Sequence, residues 1–79
     1  MSPTILKWKG YRFFFFSREE TRAHVHVTGP EGEAKYWLVP EVEIARNHGL
    51  SVGQVSEILQ VVKEKRDELF DAWRRHFTD

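Results

Sequence analysis

The sequence contains no cysteine. Disulfides and thiolate zinc sites are thereby excluded, a metal has only His and carboxylate ligands to draw on, and the usage fits a reducing compartment. Long apolar runs are missing too: the longest, Phe13 to Phe16, is far below the about 20 residues that a membrane-spanning helix needs. Met1 to Lys7 shows no basic region leading into a long apolar stretch and a small-residue cleavage site. The expectation is a cytoplasmic protein without membrane contact. Net charge of either sign is also lacking, since 12 Lys and Arg balance 12 Asp and Glu. A chain so balanced has none of the broad field that draws nucleic-acid binders to phosphate, which disfavours nucleic acid as a partner and leaves only local patches.

What is present is short and rich in rings. The 79 residues allow one domain, strand-rich over 4–39 and helical over 41–77. A domain near this size hides only about 60% of the surface its unfolded chain exposes. Aromatics make up 14% of the chain, so a few large side chains, or a covering partner, must supply what a thin core does not.

In the first half the pattern alternates. Ile5 to Lys9, then Gly10, then Tyr11 to Phe16 suggest a hairpin around Lys9-Gly10. On the second strand Tyr11, Phe13 and Phe15 face one way, and Arg12, Phe14 and Phe16 the other. Ser17 to Arg22 reads as a loop, and His24-Val25-His26-Val27-Thr28 as a half-buried strand with both valines inside. Gly29-Pro30-Glu31-Gly32 turns the chain into Glu33 to Val39. The sum is an antiparallel meander of about four strands.

From Pro40 the period becomes helical. Pro40 near a start, acids at Glu41 and Glu43, and Gly49 as a stop favour a short helix over 41–48, with a fifth strand as the alternative. Ser51 and Gln54 form a capping box. Beyond them one stripe, Val52, Val55, Leu59, Val62, Leu69 and Trp73, interrupted by Arg66 and His76, predicts a single helix of about 25 residues. At 1.5 Å per residue that helix is about 37 Å long and outruns a small sheet, so its end should project or meet a second copy. The fold class expected is α+β, a sheet of three to five antiparallel strands packed by a long C-terminal helix, with a short helix or turn before it.

Few residues carry chemistry. His24 and His26, two apart on a strand, share a face and are the candidate proton-transfer pair. A metal would need a third ligand from His48, His76, Glu31 or Glu33, and neither a metal nor a cofactor is expected. Nothing resembles a nucleophile elbow or a phosphate loop. Val42 to Ile58 has helix-turn-helix spacing, but the positions that would meet DNA, including Ser56, Glu57 and Gln60, carry no Arg or Lys. The aromatic surplus points to an interface instead, with Tyr11, Arg12, His24, His26, Lys35 and Trp37 as the candidate binding residues on the sheet.

Several separated motifs in order, Gly10-Tyr11-Arg12-Phe13-Phe14-Phe15, His24-Val25-His26-Val27, Gly32 to Leu38, Ala45 to Ser51 and Trp73 to Phe77, resemble the small bacterial family called domain of unknown function 4160. The resemblance implies a stand-alone protein paired with a small protein from a neighbouring gene, in a toxin-antitoxin-like arrangement with no agreed activity. The combined expectation is a protein-interaction module that also forms a homodimer or other homo-oligomer. Two alternatives stand beside it: a helix-turn-helix regulator, and an RNA-cleaving toxin using His24 and His26.

Overall fold

The computed structural model describes residues 4–15 and 22–77. Strands β1 (Thr4–Trp8) and β2 (Tyr11–Phe14) pair antiparallel across Lys9-Gly10. Both turn residues have positive φ, 48° and 81°, the two-residue geometry whose twist suits a hairpin, and Gly10 adopts it without a Cβ penalty. Strands β3 (His24–Thr28) and β4 (Glu33–Trp37) form the second hairpin, closed by Gly29 N–H donating to the Gly32 carbonyl at 2.9 Å. The meander is as expected up to this point. Phe16 and most of the loop at 17–22 lie outside the described residues.

The segment expected as a short helix is a strand. β5 (Glu43–His48) pairs antiparallel with β4 and completes a five-stranded sheet in the order β1-β2-β3-β4-β5. A helix of eight residues is weak in isolation, whereas the free edge of β4 offers a row of unpaired N–H and C=O groups. The sheet edge therefore wins. Asn47 ends the strand locally: its side-chain amide donates to the Leu50 carbonyl at 2.9 Å, and its oxygen accepts from Leu50 N–H at 3.1 Å. Gly49 then turns the chain at φ 95°. With no first helix there is no helix-turn-helix.

Two helices follow, α1 (Val52–Glu64) and α2 (Arg66–Phe77). The capping box is present: the Ser51 hydroxyl accepts from Gln54 N–H at 3.1 Å, and the Gln54 side chain accepts from Ser51 N–H at 2.8 Å. The single long helix is not. The helix is interrupted at Lys65, which leaves helical geometry at φ −103° and ψ 10°, next to Arg66 where the apolar stripe is broken. Arg66 there donates its Nε–H to the Leu38 carbonyl at 3.2 Å and lays its guanidinium over Phe70, drawing the break onto the sheet. α1 thus packs over β4 and lies beside β5, whose residues all stay exposed, and α2 packs on β3, with Leu69 buried.

Pleat alternation decides which side chains these helices cover. Phe13, Val25, Val27, Ala34 and Tyr36 point to the helices and meet Ile58, Val62 and Leu69 in one core. Burying each of the large ones contributes about 1.5–3 kcal/mol. Tyr36 also ties sheet to helix, because its phenol donates to the Val55 carbonyl at 2.8 Å. Burial, with a smaller contribution from Tyr11, pushes its pKa up to about 12. Among the described residues no helix is long and apolar enough to cross a membrane.

Candidate functional site

Among the described residues no helix lies on the opposite face of the sheet, and strand register arranges its side chains in three rows. The first runs Lys7, Arg12, Thr28, Glu33, His48; the second Phe14, His26, Lys35, Arg46; the third His24, Trp37, Glu43. Irregularity between Lys35 and Tyr36 in the β4–β5 pairing leaves Ala45 unpaired, which keeps Glu43 and Arg46 on the same side although they are three apart.

Rings form a continuous chain across the rows. Phe14 stacks on His26 at 5.6 Å, His26 meets His24 edge-on at 5.2 Å, and His24 meets Trp37 edge-on at 5.7 Å. Cations lie over the end rings: Arg12 over Phe14 at 4.9 Å, and Arg22 and Lys35 over Trp37 at 4.3 Å and 4.6 Å. Such contacts hold the cations in place; Lys35 is only 9% exposed, and Arg22 also pairs with Glu43.

Five of the six expected binding residues, Arg12, His24, His26, Lys35 and Trp37, are brought together here. Tyr11 is not among them. Alternation turns it to the helix side, where it is buried and stacks on Trp8 at 6.2 Å. His24 faces outward as expected but is only 1% exposed. Its Nδ1–H donates to the Arg22 carbonyl at 2.7 Å, an oxygen that can only accept, so this hydrogen bond fixes the tautomer. His24 therefore works as a buried brace under Trp37, and the two histidines are not an equivalent pair.

Arg46, His48 and Glu33 complete the face. With His26, Lys35 and Phe14 they wall a recess of about 120 Å³, floored by the backbone of Val27 and Ala34. That is small beside the 300 Å³ or more of an ordinary ligand pocket, and it suits one side-chain-sized group. Among the described residues the face carries five fixed cations, Lys7, Arg12, Arg22, Lys35 and Arg46, against two acids, Glu33 and Glu43. Arg22 and Glu43 pair at 3.3 Å. Arg12 and Arg46 reach no carboxylate among the described residues, whereas on the helical side Lys9, Lys65, Arg66 and Arg74 each reach one. No group of three His, Cys, Asp or Glu side chains among the described residues stands where it could hold a metal ion.

The family model described as domain of unknown function, DUF4160, matches residues 10–74. No curated protein and no solved structure matches the chain.

Proposed function

The chain belongs to the DUF4160 family, and we propose that it is a small interaction module, one member of a two-gene pair of the toxin-antitoxin kind, which holds its partner protein against the helix-free face of the sheet. The observation that carries this reading is the charge asymmetry of that face. In a chain with zero net charge, one side of the sheet carries, among the described residues, five fixed cations against two acids, with Arg12, Arg22 and Lys35 laid over aromatic rings. Arg and aromatic side chains are the residues that most often anchor protein interfaces.

Homo-oligomerisation through the apolar surplus has less support. Among the described residues only Ile44 and Val52 are large hydrophobic side chains left exposed, which is too little for the apolar centre of an obligate dimer. RNA cleavage by His24 and His26 is disfavoured because burial denies His24 the solvent access that proton exchange with a substrate requires.

The test is co-expression with the product of the adjacent gene, with charge reversal at exposed positions of the first row. Lys7→Glu with Arg12→Glu should leave the fold intact and reduce co-purification at least tenfold, and raised salt should weaken the wild-type complex. Unchanged co-purification by the reversed variant places the partner elsewhere.

A further inference from the structure

We infer that the exposed pair Lys7 and Arg12, at the β1 end of the row that runs through Thr28 to Glu33, anchors one Asp or Glu side chain of the partner protein. This rests on the reading of the sheet face given above and adds which part of the face makes the anchoring contact, and with what chemistry.

Register provides the first argument. Lys7 and Arg12 are direct cross-strand partners of β1 and β2, so two fixed positive charges rise from Cβ atoms about 5 Å apart. Both side chains are exposed, and neither makes a hydrogen bond or ion pair with any described residue. Arg12 lies over the Phe14 ring, which holds the guanidinium without neutralising it. The neighbouring Lys9 is answered by Glu57 at 3.5 Å. Residues 7–12 alone wall the shallow depression at this end of the hairpin, and none of them is acidic.

Energetics provides the second. Like charges directly opposite on adjacent strands destabilise a sheet, and this pair contributes nothing to the fold in exchange. The hairpin is held by its Lys9-Gly10 turn and by the packing of Ile5, Leu6, Trp8 and Phe13. A carboxylate between the two cations converts the repulsion into charge-assisted hydrogen bonds, with the Arg fork meeting its planar oxygens and the Lys ammonium reaching the same group from the next strand.

The rest of the row separates a protein segment from a nucleic acid. Arg12 pairs with Thr28, and Thr28 with Glu33, which is exposed. An acid thus stands two strands, about 10 Å, from Arg12. A phosphodiester chain following the row would carry its repeated negative charge onto Glu33. A polypeptide advances about 3.3 Å per residue when extended, so an acid over Lys7 and Arg12 can be followed three residues later by a Lys or Arg over Glu33, and both signs are matched.

Charge changes in the intact chain test this. Lys7→Glu sets an opposite charge beside Arg12, so the free protein should melt about 1–5 °C higher at low salt, while its complex with the adjacent gene's product weakens at least tenfold. Lys7→Arg should leave both quantities unchanged. A melting temperature that falls or stays fixed in Lys7→Glu would show the pair to be compensated already and overturn the assignment. Amide NMR of the wild-type chain then follows titration with a blocked heptapeptide of Thr and Ser carrying Glu at its second position and Lys at its fifth, the same peptide with Gln for Glu, inorganic phosphate, and a ten-nucleotide oligouridylate. The expected result is a saturable shift at Lys7 and Arg12 with the Glu peptide, at least tenfold weaker with the Gln peptide. Tighter binding of phosphate or oligouridylate would overturn the assignment, as would no response to any probe. Neutralisation separates the anchor from the face: a complex weakened by reversal of both residues but unchanged in Lys7→Gln with Arg12→Gln refutes the anchor and keeps the face. A complex insensitive to both changes refutes the face as well.

Discussion

Tyr36 and His24 show how single side chains on the two faces of this sheet are held: Tyr36 under the helices, His24 on the opposite face. Tyr36 is buried, donates to Val55, and has its pKa pushed up to about 12. A group whose folded pKa lies above its unfolded value near 10 contributes stability that is complete below pH 10 and lost as pH rises towards 12. Wild-type stability should therefore fall by roughly 2–3 kcal/mol across that window. Tyr36→Phe should cost about 1–2 kcal/mol at neutral pH by leaving the Val55 carbonyl without this donor, and should remove that part of the alkaline loss. Denaturant midpoints for both proteins from pH 9 to 12 check this, with parallel curves as the contrary result. His24 gives the second comparison. Removing a side chain 1% exposed and hydrogen-bonded at 2.7 Å should cost about 2–4 kcal/mol in His24→Ala. The half-buried His26 should cost less than half as much on the same change. Equal losses in thermal unfolding would return the two histidines to one role. Alternation alone placed both on the same face; what it did not reveal is that the inner of the two is covered, because burial of an outward residue depends on neighbours from β4 and on Arg22.

At the scale of elements, local signals were readable wherever a short-range contact decides the conformation. Lys9-Gly10 and Gly29 to Gly32 marked both hairpins, and Ser51 with Gln54 marked the start of α1. That cap predicts a measurable effect: Ser51→Ala should destabilise by about 1 kcal/mol, lowering the melting temperature by about 4–8 °C in a domain of this size. A loss below 1 °C in calorimetry would mean that tertiary packing, not the cap, holds the first turn. The sequence leaves 41–48 open between a short helix and a fifth strand, because its acids, its Asn47-His48-Gly49 ending and its preceding proline imitate a short helix. The force that overrides them is pairing with β4, which lies within reach only after folding. Arg46 and His48 are consequently absent from the binding residues expected on the sheet, His48 being considered only as a possible metal ligand, because only strand pairing brings them into rows with Lys35 and Glu33. The interruption at Lys65 was concealed for a similar reason: Arg66 reads as a flaw in a helical stripe, whereas its contact with the Leu38 carbonyl depends on the position of the sheet.

For the whole molecule, composition was informative about class and misleading about surface. A net charge of zero is a sum, and the sum conceals a helical side whose cations are mostly paired and a sheet side where Arg12 and Arg46 meet no carboxylate among the described residues. The α+β class followed from the change of period near Pro40. The expected single long helix is instead two helices separated at Lys65, and the partner we propose is held by the sheet face. The most direct test maps backbone amide shifts or hydrogen exchange of the chain with and without the protein encoded beside it. The account predicts changes concentrated at Arg12, His26, Lys35, Arg46 and His48, with Ser56, Glu57 and Gln60 on the outer side of α1 unaffected. Changes confined to α1 and α2, or the absence of any complex at micromolar concentration, would contradict it.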